Sequence, residues 1–259
     1  MLFRRLLLSI FLVLAAMPAW AKGAKPPDPQ ASFDAAVALE QKKEWFNARQ
    51  SWQQFLDSFP DFERVEEAQE HLAQTNIQLL FSAAAVPESV VYKVAKGDTL
   101  GKIAKQHHTT VDLIQRRNGL KNNLIKAGQE LSIWTAPFEI YVDKSRNILM
   151  VKSENEVFKV YPVSTGAGNT TPTGNFTIKD RMMNPVWYHH GVVVPPGTPD
   201  NFLGTRWLGF NIPKYGIHGT VEPEKIGQSV SGGCVRMRNE DVEELFTYIP
   251  EGSKVTIVE

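Results

Sequence analysis

One cysteine in 259 residues excludes an internal disulfide, and it excludes a multi-cysteine zinc site as well. Net charge is missing too. The 28 basic side chains balance 28 acidic ones, which argues against nucleic acid as a partner, because such surfaces recruit clustered lysine and arginine. No H-E-x-x-H signature occurs, and His107-His108 has no carboxylate or cysteine at metal spacing, so no metal and no cofactor is expected. The 18 glycines and 16 prolines are too few and too aperiodic for a collagen-like or low-complexity chain. No apolar run reaches the ~20 residues that a membrane-spanning helix needs. What is there is a 42% hydrophobic share, enough for real cores, over a length that suits two or three small domains.

The main apolar run near the start, Leu6 to Ala16, follows Arg4 and Arg5 and precedes Pro18-Ala19-Trp20-Ala21. That is the layout of a secretory signal peptide over residues 1–21 with an Ala-x-Ala cleavage site. Export would carry the lone thiol, Cys234, into a compartment that oxidises thiols, and retaining it there argues for a use.

Residues 22–29 (KGAKPPDP) read as a linker. Residues 30–86 then follow a helical period through Phe33, Ala36, Trp45, Ala48, Trp52, Phe55, Leu72, Ile77 and Leu80, with Pro60 closing the second helix. The stretch from Glu44 to Pro60 resembles one tetratricopeptide-type hairpin. A single unit falls short of the three or so such arrays need, so a small helical bundle is the simpler reading, with a partner-protein surface as the alternative.

Residues 91–134 change grammar to strand, helix, helix, strand. Gly97-Asp98-Thr99 is turn and cap chemistry before Leu100, and Thr110 opens a second helix that ends at Asn118-Gly119. The run YKVAKGDTLGKIAKQHHTTVDLIQRRNGL…NLIKAGQELSI resembles a LysM module along its whole length. The resemblance implies binding to N-acetylglucosamine-containing glycan, mainly peptidoglycan. It places the groove at Gly97, Asp98, Thr99 and Leu100 on one side and Asn118, Leu124 and Ile125 on the other. His107 and His108 read as solvated helix-end residues.

Beyond Pro137 the chain is β-rich, with strands expected at 138–143, 147–152, 156–164, 176–179 and 254–258 and a helix at 239–248 capped by Asn239. Between them, residues 182–201 hold four prolines and two glycines and read as a long irregular loop, the size of a lid. Trp187 and Tyr188 on it are candidate substrate contacts.

The chemistry gathers near the end. Cys234 follows His218 by sixteen positions, with Gly232 and Gly233 before it and Arg236 after it. A cysteine nucleophile with a histidine base is one reading, the thiol pKa lowered by His218 and Arg236 and the glycines turning amides toward an oxyanion. A buried, inert cysteine is the alternative. Ile217-His218-Gly219-Thr220, Ser231-Gly232-Gly233-Cys234-Val235-Arg236-Met237, Asn239-x-Asp241, Thr171-Pro172-Thr173-Gly174 and Leu203-Gly204-Thr205-Arg206-Trp207 together resemble the L,D-transpeptidase (YkuD-type) signature over residues 138–258. Gly232 departs from it, since many members carry histidine there.

By that resemblance Cys234 is the nucleophile, His218 the base, and the Gly219 carbonyl its orienting partner. Gly233 and Cys234 supply oxyanion amides, and Arg236 supports the thiolate loop. Ser231, Gly232 and Arg206 join Trp187 and Tyr188 in binding substrate. The implied fold is multidomain: an α-helical bundle, a βααβ module and a mainly-β catalytic domain. The implied activity is transfer of a peptidoglycan stem peptide to an amine, giving 3→3 crosslinks or lipoprotein attachment in the periplasm. Trimming of terminal D-Ala, or a non-catalytic wall-binding scaffold, are the alternatives.

Overall fold

A computed structural model describes residues 28–259 apart from Asn155 and His190; the expected signal peptide lies outside the described residues. The chain divides into two compact units at Leu79/Leu80. No helix among the described residues is long and apolar enough to cross a membrane.

The first unit is three helices, α1 (Pro29–Gln41), α2 (Trp45–Ser58) and α3 (Val65–Leu80). Asp28 caps α1, with Pro29 at the first helical position where no amide is needed. Phe33, Ala36, Trp52, Phe55 and Ala68 form the core, Phe33 meeting Trp52 edge-on at 4.8 Å. One carboxylate sits in this apolar setting. Glu40 accepts from Trp52 Nε1 at 2.8 Å and Thr75 Oγ1 at 2.6 Å, and His71 Nδ1 lies 2.8 Å from it. Partners on every side make its burial tolerable.

The second unit begins with β1 (Ser89–Lys93), α4 (Leu100–Gln106), α5 (Val111–Arg117) and β2 (Glu130–Trp134), the order read from the sequence. The two strands pair antiparallel. Thr99 and Thr110 cap the helices by accepting from Lys102 N at 3.2 Å and Leu113 N at 2.9 Å. Val94, Leu100, Ile103, Ala104, Ile114, Leu131 and Ile133 fill the small core. Arg117 is buried beside it and donates to Ser132 Oγ, Leu80 O and Ala84 O. Burial lowers its pKa to about 10, so it stays charged at neutral pH.

The remainder comprises β3 (Phe138–Asp143), β4 (Ile148–Ser153), β5 (Glu156–Pro162), β6 (Thr165–Gly166), β7 (Gly174–Met183), β8 (Trp187–His189), β9 (Val192–Val194), β10 (Arg206–Phe210), β11 (Gly216–His218), β12 (Ser229–Ser231), β13 (Val235–Arg236), α6 (Asn239–Tyr248) and β14 (Lys254–Val258). Eight strands form one mixed sheet, in the order β13-β11-β10-β7-β14-β3-β4-β5. Helix α6 packs against β10 and β11, burying Val242, Leu245, Phe246 and Tyr248.

Two expectations change here. Residues 182–201 are not irregular throughout: β7 runs on to Met183, and β8 and β9 pair as a hairpin. Trp187-Tyr188 and the Val192–Val194 run are aromatic and β-branched, and their preference for extended backbone prevails over the flanking prolines. Asn239 is not the helix cap either. That position is Arg238, with no side-chain cap bond.

Candidate active site

Strands β11 and β13 lie side by side and parallel, Ile217 opposite Val235 and His218 opposite Arg236. Side chains alternate along a strand, so Ile217 and Val235, both at 0% exposure, face the core. His218 and Arg236 share the other face, and Cys234 lies in the bend that leads into β13. The ladder thus seats His218 opposite Arg236, and Cys234 stands one residue before the start of β13.

His218 is buried, and its Nδ1 lies 2.6 Å from Gly219 O. A carbonyl only accepts, so Nδ1 carries the hydrogen and Nε2 keeps a lone pair. Burial drives the imidazole pKa down to about 4; the Gly219 bond opposes this and the Arg236 charge adds to it. His218 is therefore a neutral base at pH 7.

Cys234 is half-buried, and its thiol donates to Lys214 O at 3.4 Å. Burial pushes the thiol up, against the hydrogen bond from the Gly216 amide and the Arg236 charge. The sequence reading expected a lowered thiol pKa; desolvation outweighs both stabilising neighbours. At rest the thiol and the imidazole are both neutral.

The family model of the L,D-transpeptidase catalytic domain matches residues 137–257, and that of the LysM domain matches residues 92–134. The protein named L,D-transpeptidase YkuD of Bacillus subtilis (strain 168) is 39% identical over 176 residues, which span 65% of this chain and 98% of the relative. Its namesake in Bacillus licheniformis is 36% identical over the same shares. The protein named L,D-transpeptidase YcfS of Escherichia coli (strain K12) is 31% identical over 62% of this chain and 59% of its own. The chain belongs to the L,D-transpeptidase family.

Within this transpeptidase domain several residues stand elsewhere than expected. Ser231 is buried; it accepts from Gly233 N at 3.0 Å and donates to Cys234 O at 2.6 Å. It braces the loop that carries Cys234 from inside. The same bond occupies the Gly233 amide, which is therefore turned away from an oxyanion. Gly233 instead needs its smallness: at φ +126°, an added Cβ would stand 2.8 Å from the Tyr215 ring. Gly232 is exposed, with open space around it.

Arg206 lies on the opposite side of the sheet from His218. It neighbours Trp207 on β10, so the two point to opposite sides of the sheet. Its guanidinium lies over the Phe246 ring at 5.5 Å and 3.9 Å from Glu243, in a cleft shared with Asp112 and Gln115 of the LysM domain. Arg236 does lie on the His218 face. Its Nη1 donates to Glu222 Oε2 at 3.2 Å, and its guanidinium stands 6.0 Å from the Phe202 ring. Trp187 packs edge-on against that same Phe202 at 5.6 Å, which links the β8–β9 hairpin to the site, while Tyr188 is 76% exposed.

In the LysM domain Gly97, Thr99 and Leu124 are exposed, Leu124 at 81%. Asp98 accepts from Ala95 N at 2.7 Å and Tyr92 OH at 2.9 Å, which holds its carboxyl below the usual range. Leu100, at 1% exposure, is core and not groove. Asn118 is occupied too, donating to Ile114 O and Ser132 O and accepting from Ser132 N. Ile125 packs on the small core. His107 is half-buried and meets Tyr92 edge-on at 5.5 Å, so it is less solvated than expected.

Two residues of the site escaped the sequence reading. Trp207, opposite His218 on β10, stacks on the imidazole with centroids 5.9 Å apart. Asn239 binds the backbone at Thr205 and Thr220. The signal for both was their place inside the Leu203–Trp207 and Asn239-x-Asp241 motifs.

Proposed function

We propose that Cys234 carries the acyl group in transfer of peptidoglycan stem peptides. The observation that supports this most is the tautomer of His218, neutral and with its acceptor nitrogen free of the Gly219 bond. His218 Nε2 takes the Sγ proton as sulfur attacks the carbonyl between the L-centre of diaminopimelate and the terminal D-Ala of a tetrapeptide stem. The C–N bond breaks, the proton passes to the departing D-Ala amine, and a thioester remains on Cys234. An acceptor amine then attacks the thioester, gives its proton to His218, and the thiol re-forms. With the Gly233 amide occupied, the Cys234 amide is the donor left for the oxyanion. A diaminopimelate amine as acceptor gives a 3→3 crosslink, a lipoprotein lysine gives an anchored lipoprotein, and water gives trimming alone.

The LysM domain would hold the enzyme on glycan strands through Gly97, Thr99 and Leu124, raising the local concentration of stems in the periplasm. The decisive test incubates the mature protein with purified sacculi and reads the muropeptides by mass spectrometry, beside a Cys234→Ala variant. New crosslinked dimers with the parent alone are expected. Monomeric tripeptides alone would reassign the acceptor to water, and identical products with both proteins would remove Cys234 from the chemistry.

A further inference from the structure

The carboxamide of Asn239 occupies a tight space behind the catalytic histidine. Its Oδ1 accepts from Thr205 N and Thr220 N, both at 3.2 Å, and its Nδ2 donates to Thr220 O at 2.9 Å. Two glycines make the space. A Cβ on Gly204 would fall 2.3 Å from Asn239 Oδ1, and one on Gly219 would fall 2.2 Å from it. No substitution at either position leaves the carboxamide where it is.

The peptide bond from Gly219 to Thr220 joins these contacts to the imidazole. Its N–H is the one held by Asn239, and its C=O is the one that accepts from His218 Nδ1 at 2.6 Å. In a planar trans peptide these two groups point in opposite directions. Fixing the N–H on one side therefore aims the carbonyl on the other. A hydrogen bond accepted from the N–H also polarises the amide and makes its oxygen a better acceptor. Asn239 grips the Thr205 amide as well, one residue from the Arg206 carbonyl that accepts from Gly219 N at 3.2 Å, so Gly219 is held on both sides.

We infer that Asn239 is a positioning residue for His218, acting through the Gly219–Thr220 peptide to set the tautomer and direction of the imidazole. The inference rests on the reading of His218 as the base that serves Cys234. The chain of groups runs Asn239, peptide, His218, Cys234, so a backbone amide stands where a carboxylate often orients a catalytic histidine.

The test uses the mature protein with Asn239→Ala and Asn239→Asp, and Val242→Ala as a control that loosens α6 at a core position away from the carboxamide. Nitrogen-15 spectra of labelled histidine read the tautomer of His218 without any turnover. The parent should show the Nδ1–H form, Asn239→Ala a mixture, and Val242→Ala the parent form. Asn239→Asp keeps both accepting contacts but loses the donation to Thr220 O, and should recover the parent form in part. On stem-peptide turnover, Asn239→Ala should lower kcat roughly 10- to 100-fold at similar KM, the size usual for groups that orient a reacting side chain. A parental tautomer and kcat in Asn239→Ala would overturn the inference, as would an equal loss in Val242→Ala at matched melting temperature. If instead Cys234→Ala turns over as fast as the parent, the reading beneath it has failed, and the spectra still decide the positioning claim separately.

Discussion

Trp207 lies nearly flat against His218, with ring centroids 5.9 Å apart and planes 21° apart, and its indole N–H is tied to Asp180 Oδ1 at 2.9 Å. One broad face of the imidazole is thereby closed to water. That cover helps produce the burial that holds the His218 pKa at about 4.

Removing the cover should raise that pKa. In Trp207→Ala the acid limb of kcat/KM is expected to move from near pH 4 toward the ordinary histidine value of 6.5. Trp207→Phe should hold it near the parent. A pH–rate profile for the three proteins checks this, and an unmoved limb in Trp207→Ala would assign the desolvation to other neighbours.

Stability should follow the same group. His218 is neutral when folded down to about pH 4 but takes a proton near 6.5 when unfolded. The unfolded state binds more protons between those values, so the folded state loses stability as pH falls through that window. The difference is about 3 kcal/mol across it, at 1.36 kcal/mol per unit. Urea melts at pH 7 and pH 4 should show the drop shrinking by about that amount in His218→Asn. An equal drop in both proteins would place the acid sensitivity elsewhere.

The thiol should behave as an un-ionised group at rest. Because burial raises the Cys234 pKa above its ordinary value of 9.0, alkylation by iodoacetamide should keep rising with pH through 9. A rate plateau between pH 6 and 7 would show a preformed thiolate and contradict the neutral pair.

Ser231 and Gly232 are adjacent and should differ sharply. Ser231→Ala strands the Gly233 amide and removes the bond to Cys234 O, which should cost about 1–3 kcal/mol and slow acylation. Gly232→Ala meets open space and should stay within about 0.5 kcal/mol of the parent. Chemical denaturation of both variants is the check.

The β8–β9 hairpin is expected to influence which acceptor reaches the thioester. Tyr188 is 76% exposed, so Tyr188→Ala should leave the melting temperature almost unchanged. Combined with Trp187→Ala, which loses the Phe202 contact, it should raise hydrolysis relative to transfer, because a loosened cover admits water. An unchanged product ratio in a folded double variant would make the hairpin a connector only.

The legible parts of the sequence were those where local chemistry and burial agree. Phe138–Asp143, Asn239–Tyr248 and Lys254–Val258 have the expected bounds, because period and flanking turns point the same way. The chain also spelled out the βααβ order of the LysM domain, since Thr99 and Thr110 mark both helix starts. Strands β10, β11 and β13 were less readable. They are two to five residues long, and their pairing is set by neighbours far away in sequence. For the same reason the opposite directions of Arg206 and Trp207 follow only once β10 is known to be a strand. Asn239 misled because its usual local habit, capping a helix, is given up for loops 19 and 34 residues distant.

The parallel seating of β11 beside β13 separates the placement of His218 against Arg236 from the length of chain between them. Sheet register, not the connection, decides where Arg236, two residues past Cys234, stands relative to His218. The exposed turn around Glu224 lies within that connection and outside the ladder. Evolution and the protein engineer alike thus have a point for insertion in the middle of the signature. New sequence placed there would leave His218 and Arg236 in register on the two strands.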